Sequence, residues 1–531
     1  MLSSAQFEPN DVYNLSNTHI MAKRKRQAVA EGEPAQKPQE LKKLKSSNGS
    51  LQPKTEQPKK SRTPKPAKAS PKTTTANETT SKRTGLPITI QIIAGSYDRV
   101  LHGVTATILP SSQVNFADSF LFNAHTSAIR CLALSPPSAP LPGQSQKVML
   151  ATGSTDERIN VYNLSAHPPS TKASPDQELL STIARRPILE NSKNRELGTL
   201  MHHSSTVTRL SFPTRSKLLS SSEDSTIAVT RVRDWSLLST IKAPVPAVTG
   251  RPSGDTAPMG GTPSGVNDFA VHPSMKVMIS VSKGERCMRL WNLVTGKKAG
   301  VLDFGRAVLH EVGEGRHSTG EGRKVVWGTS SESGDEFAVG FDRDVLVFGM
   351  DSKVRCRVMS DARTKIHEFG YVRLGDDSED TVFAVSTEDG RVLFFSTKVE
   401  DLEQAEAPEG KAAPLPRAKL LAQVGGKAAG VTGRVKDFKV VRSEDAPGVW
   451  FIVSAGSDGK LRVWELSREE LKPKAGKEAP QAGKLLGTHD TQNRITCVEA
   501  FVMIPRPEGV EESEDELQEE EEEDDGDSDD E

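Results

Sequence analysis

Residues 453–466 read VSAGSDGKLRVWEL, and the same phrase stands at five earlier places in the chain. These are ATGSTDERINVYNL (151–164), LSSSEDSTIAVTRV (219–232), ISVSKGERCMRLWNL (279–293), AVGFDRDVLVFG (338–349) and AVSTEDGRVLFFS (384–396). Each copy has an acid six positions before its closing slot: Asp156 and Tyr162, Asp224 and Thr230, Glu285 and Trp291, Asp342 and Phe348, Asp389 and Phe395, Asp458 and Trp464. The third and fifth positions after the acid are always apolar, as in Leu461 and Val463 or Ile227 and Val229. Alternation of period two is the pattern of a strand with one buried face. The acid stands where the chain reverses, twice beside a glycine (Asp389-Gly390, Asp458-Gly459), so each phrase is a hairpin. One hairpin every 47 to 69 residues leaves room for two further strands, and four strands per unit make a propeller blade.

Strands leading into these hairpins lie upstream, in AHTSAIRCLALS (124–135, with His125), HHSSTVTRLSF (202–212, with His203), GVNDFAVHP (265–273) and GRVKDFKVV (433–441). Six hairpins give six blades, and the ends supply a seventh. ITIQIIAGSYDRVLHGV (88–104) has no opening half before it, and LLGTHDTQNRITCVEAFV (485–502) is an opening half with no hairpin after it. Pairing the two closes the ring and removes exposed sheet edges. The expected architecture is all-β: a seven-bladed propeller over residues 86–504, closed by N- and C-terminal strands, between disordered tails at 1–85 and 505–531.

The units resemble those of the WD-repeat family, which open with Gly-His, turn on Asp and close with Trp-Asp. Trp291-Asn292 and Trp464-Glu465 approximate the closing pair; Thr230-Arg231 and Phe348-Gly349 do not. His125, Asp156, Tyr162, His203, Asp224, Trp291, Asp389, Asp458 and Trp464 are accordingly read as structural repeat positions, since in repeat folds such residues build the unit.

The formal net charge of -2 conceals a strong asymmetry. Residues 22–86 hold 17 Lys+Arg against 5 Glu, and residues 507–531 hold 17 Asp+Glu with no Lys or Arg. Such segments carry too little apolar surface to fold, consistent with 5% aromatic residues and a mean hydropathy of -0.48. Lys23, Arg24, Lys25, Arg26, Lys42, Lys43 and Lys45, followed by PKPAKASPK (64–72), suit nuclear import or contact with phosphates. Ser513 and Ser528 each precede acids and are candidate phosphorylation sites. Cys131, Cys287, Cys356 and Cys497 lie far apart with no CxxC pair, which indicates neither a disulfide framework nor a zinc knuckle. No apolar run reaches the roughly 18–20 residues of a membrane helix, and no secretory signal pattern opens the chain.

Four interruptions, 135–146, 165–195, 252–265 and 313–323, are rich in Pro, Gly and Ser and read as surface loops. GGTPSG and GEGRHSTGEG lack the GK[ST] ending of a phosphate loop, and no HExxH, GxSxG or paired-cysteine site occurs. His202-His203 reads as a blade-opening tie rather than a metal pair. The expectation is therefore no catalytic residue, no metal, no cofactor and no small-molecule substrate.

IIAGSYDRVLHGV (92–104), HHSSTVTRLSF, FAVHPSMKVMISVSKGERCMRLWNLVTGK (269–297), GRVKDF and AGSDGKLRVWEL together resemble the PAK-interacting WD-repeat proteins, whose fungal members are of the maintenance-of-killer protein-eleven type. The resemblance implies a nucleolar scaffold in assembly of the large ribosomal subunit. Its partners would be other assembly factors and pre-ribosomal particles, with rRNA reached through the basic stretch. It also implies a second reading, an adaptor that occupies the regulatory domain of a p21-activated-type kinase.

Overall fold

A computed structural model describes residues 85 and 87–506, apart from 142–143, 170–174, 185, 247–263, 315–317, 331–333, 376–379, 405–413 and 474–479. Among these, seven four-stranded antiparallel sheets form seven blades. Blades 2 to 7 are each laid down in chain order, beginning with the innermost strands Ile129–Leu134, Val207–Thr214, Val266–Val271, Lys324–Ser330, Ile366–Arg373 and Val435–Arg442. Blade 1 takes its inner strand, Ile495–Val502, from the far end of the sequence and the other three, Ile88–Ser96, Val100–Ile108 and Val114–Asn123, from its beginning. Inner strands of successive blades pack in cyclic order, with blade 7 against blade 1. The seven-bladed propeller read from the sequence is the fold of the described residues.

The closure departs from the expected pairing in one respect. Residues 485–502 do not act as one opening half. Lys484–Asp490 is the outer strand of blade 7, paired with Lys460–Ser467, and only Ile495–Val502 pairs with Ile88–Ser96. Leu485 is largely exposed, as suits an outer edge, whereas Ile495 and Val498 are buried. THD at 488–490 mimics an opening motif, but the chain reverses after it, at Thr491–Arg494.

Apolar residues form seven clusters, one in each cleft between neighbouring blades. In the cleft between blades 7 and 1, Ile88, Ile90 and Ile92 pack with Phe451, Val453, Leu461 and Val463. Burial of each such side chain is worth about 1.5–3 kcal/mol, so the cleft is a strong joint. Tryptophans cross two other clefts: Trp327 Nε1 donates to Ala270 O (3.0 Å) and Trp450 Nε1 to Arg373 O (3.0 Å).

Two interruptions differ from plain surface loops. Segment 165–195 contains the helix Pro175–Ala184, and Arg306–Glu311 is a short helix just ahead of the Gly-rich stretch. Within that stretch Gly322 is buried, and a Cβ there would meet Val281 at 2.7 Å and Val339 at 3.1 Å. This glycine lets the chain pass between blades 4 and 5 on its way into an inner strand. Residues 252–263 lie outside the described set. No helix among the described residues is long and apolar enough to cross a membrane.

Candidate interaction surface

The repeat positions divide into two half-ties. In blade 2, His125 Nδ1–H donates to Asp156 (3.1 Å) while Nε2 meets Thr152 Oγ1 at 2.8 Å. In blade 3, His203 Nδ1 bonds Asp224 (3.1 Å) and Nε2 meets Ser220 Oγ at 2.7 Å. Tyr162 and Thr230 fill the slot that tryptophan occupies in blades 4 and 7, and the buried Thr230 hydroxyl has no partner. Burial pushes the Tyr162 phenol up to about 12. The converse holds in blades 4 and 7, where Trp291 Nε1 donates to Ser280 Oγ (2.8 Å) and Trp464 Nε1 to Ser454 Oγ (3.1 Å). There the turn acid pairs with an arginine four residues on, Glu285 with Arg289 and Asp458 with Arg462. Asp389 in blade 6 pairs with Arg391. All of these residues hold hairpins.

Burial would raise the Asp224 carboxyl, but hydrogen bonds from His203, Thr226 and the Ser204 N–H bring it down to about 2. A second acid is clamped more heavily. His102 Nε2 and His489 Nε2 stand 2.9 and 3.3 Å from Asp118 Oδ1, and Arg186 Nε is 2.7 Å from Oδ2. Burial works against ionisation of Asp118, yet His102, His489 and Arg186 hold it well below the usual carboxylate range. The His102, Asp118 and His489 ligand atoms lie within 4.8 Å of one another, a spacing that could hold a metal ion. The guanidinium on the same carboxylate makes the cluster an ion-pair clamp instead. It joins blade 1, blade 7 and the 165–195 segment, whose Pro187 O accepts the Asp118 N–H at 2.9 Å.

Beside it, a cleft of about 340 Å³ opens between blades 1 and 2. Phe120, Phe122 and Tyr162 wall it, with Glu190, Arg195 and Glu196 at its margin.

The inner strands carry the charge. A bulge recurs at one register in six of the seven, for example between Ile129 and Cys131, Val207 and Arg209, and Val435 and Asp437. A bulge takes the extra residue out of the strand's alternation and re-aims its side chain. At this register three neutral side chains bridge to the next blade: Thr496 Oγ1 to Ile129 O (2.7 Å), Thr208 Oγ1 to Val266 O (2.7 Å) and Asn267 Nδ2 to Gly322 O (2.9 Å). Deeper in the channel, acids and bases alternate from blade to blade. Arg209 is 3.4 Å from Asp268, Lys324 pairs with Glu368, and Lys439 is 2.9 Å from Glu499. Asp268 and Asp437 also accept the backbone N–H groups of Val325 (3.0 Å) and Val498 (2.8 Å) of the following blade. Burial opposes ionisation of Glu368, and Lys324, Arg209 and Lys439 overcome it.

The sequence reading found the hairpin acids and missed this channel. Its trace in the sequence is a basic residue just ahead of the first buried residue of three inner strands: Lys365, Arg434 and Arg494. Lys23, Arg24, Lys25, Arg26, Lys42, Lys43, Lys45, Ser513 and Ser528 lie outside the described residues.

Comparison with known proteins agrees with this geometry. The model of the WD domain, G-beta repeat, matches residues 118–163 and 194–229. Protein MAK11 of Saccharomyces cerevisiae (strain ATCC 204508 / S288c) is 30% identical over 409 residues, covering 72% of this chain and 78% of that protein. The p21-activated protein kinase-interacting protein 1-like proteins of Xenopus laevis and Danio rerio are each 23% identical. Those matches cover 80% and 77% of this chain, and 84% and 80% of the relatives. The chain belongs to the WD-repeat family that contains MAK11 and the p21-activated protein kinase-interacting protein 1-like proteins.

Proposed function

We propose that the chain is a non-enzymatic scaffold in assembly of the large ribosomal subunit, acting in the nucleus and nucleolus. The observation that carries this reading is the kinship with the fungal branch of the family, which extends over most of the ring rather than over isolated repeats. Two features support it. The repeat residues are engaged in hydrogen bonds within their hairpins, which leaves the faces of the ring, its central channel and its clefts for partners. The sequence also holds 17 Lys+Arg in residues 22–86, a charge density suited to rRNA phosphates and to nuclear import. Protein partners would dock on the blades, and RNA would be reached by the basic stretch. Affinity purification of a tagged chain should enrich large-subunit precursor rRNA over small-subunit precursors. A purification free of pre-ribosomal RNA would refute the reading.

A second reading rests on the name of the vertebrate relatives, which describes interaction with p21-activated protein kinase. On that reading the chain is a signalling adaptor. Capture of the chain by an immobilised kinase regulatory segment, together with loss of kinase activity, would favour it.

A further inference from the structure

The bulged register of the inner strands is used in two ways. Thr496, Thr208 and Asn267 tie their blades to the next, whereas the equivalent positions in blades 2, 6 and 7 are Arg130, His367 and Lys436, which make no such tie. The Nε2 of His367 is buried without a hydrogen-bond partner, and Lys436 forms no ion pair among the described residues. Two residues earlier in the chain, towards the channel mouth, Lys365, Arg434 and Arg494 stand on the consecutive blades 6, 7 and 1, and Arg323 precedes the unbulged inner strand of blade 5.

Acids at this mouth are too few to neutralise them. Asp342 serves both Arg323 and Lys365 at 3.2 Å, Glu388 holds Arg434 at 3.0 Å, and Asp98 accepts the backbone N–H of Arg494. Burial and the charges of Arg434, Arg494 and Lys365 push the Lys436 amine down. Burial, then Lys436, Lys365 and Arg434, push His367 down to about 4. An excess of like charges over the acids beside them raises the local potential, which is the electrostatic requirement for capturing an anion. Deeper in the channel the balance reverses: Arg209, Lys324 and Lys439 face Asp268, Glu368, Asp437 and Glu499. An anion is therefore held at the mouth and is not drawn through.

We infer that this mouth, formed by Arg130, Lys365, His367, Arg434, Lys436 and Arg494, is a docking site for an extended acidic segment of a partner protein, whose carboxylates supply the missing counter-charge. One feature favours a peptide over RNA: proteins that hold single-stranded RNA stack its bases on aromatic side chains. The exposed aromatic ring at this rim, Tyr97, is already covered by the Arg494 guanidinium at 5.4 Å. The chain's own acidic residues, beyond Arg506, are the other source of carboxylates, and the test below separates the two. This inference deepens the scaffold reading by naming a kind of partner, and it does not depend on the ribosomal setting.

The test uses the full chain and an isotope-labelled peptide with the sequence EESEDELQEEEEEDDGDSDDE, joined by carbodiimide, which links a carboxylate to a lysine amine only on contact. Expected are cross-links from the labelled peptide to Lys436 and Lys365. They should fall about tenfold for each charge reversed in the Arg130→Glu and Arg494→Glu variants, as loss of a charge-assisted bond requires. Cross-links to the lysines of residues 22–86 should persist in both variants. Unchanged melting curves show that the variants remain folded, and Lys436→Met, which adds no charge to the channel, should independently remove the Lys436 cross-link and weaken that at Lys365. The inference is overturned if labelled cross-links are confined to residues 22–86. It is also overturned if unlabelled cross-links from the chain's own residues 507–531 take over Lys436, or if a uridine oligonucleotide displaces the peptide from this mouth. Recovery of pre-ribosomes by the tagged chain is read separately, so failure of the one is distinguishable from failure of the other.

Discussion

His203 and Trp464 hold their blades by opposite halves of one hydrogen-bond chain, the first through Asp224 and Ser220, the second through Ser454. Each half closes only if its buried partner stays satisfied, so truncation of one member strands the others. His203→Ala should lower stability by about 1–3 kcal/mol, seen as a lower urea midpoint with unchanged slope. Trp464→Phe keeps the ring but leaves Ser454 without its indole donor, and should cost about 1–2 kcal/mol. Asp224 adds a pH dependence of known sign. Its carboxyl lies at about 2 in the fold against an ordinary 3.8, so the fold favours the ionised form. That contribution is complete above about pH 4 and is lost as pH falls from 3.8 towards 2, an effect of roughly 1–2 kcal/mol. Urea midpoints of the wild type and Asp224→Asn should converge as pH falls through this window. Parallel profiles would contradict the assignment.

At the scale of the element, the inner strand is where the sequence was hardest to read. Hairpins were legible because Asp458, Leu461 and Val463 sit at fixed offsets that survive from copy to copy. A bulge leaves no such mark: it exists only in the register between Val435–Arg442 and Val449–Gly456, and so the channel-facing role of Lys436 could not be read from spacing. Outer strands were obscure for another reason. Leu237–Lys242 and Lys484–Asp490 are largely solvated, and exposure removes the alternation that marks a buried face. That is also why residues 485–490 read as part of the opening half at 485–502, whereas they form an outer strand whose His489 reaches Asp118. The bulged positions separate experimentally into ties and vacant sites. Thr496→Val is nearly isosteric but removes the hydroxyl that serves Gly95 O (3.0 Å) and Ile129 O (2.7 Å), and should cost about 1–3 kcal/mol. Lys436→Met removes a desolvated charge among like charges and should be neutral or slightly stabilising, within about 0.5 kcal/mol, in the same urea titration. A large loss at Lys436 would mean that it too is a tie.

For the whole molecule, the seven interblade clusters make the ring a cycle of joints, and the joint between blades 7 and 1 depends on a strand drawn from the far end of the chain. Ile495–Val502 pairs with Ile88–Ser96 from Ile90↔Val502 to Ser96↔Ile495, and the Val498 N–H is accepted by Asp437 of blade 7. Without that strand, Ile90 and Ile92 lose cover, blade 1 presents a bare edge, and the docking mouth loses Arg494. Residues 507–531 contribute 17 acids and no Lys or Arg to the sequence, too little apolar surface to stabilise a ring. Equilibrium urea unfolding of chains ending at residue 506 and at residue 493 is therefore the most direct measurement. The chain ending at 506 should unfold with the midpoint of the full chain, and the chain ending at 493 should show no native baseline or a midpoint lowered far below it. Indistinguishable unfolding of the two would contradict closure by Ile495–Val502.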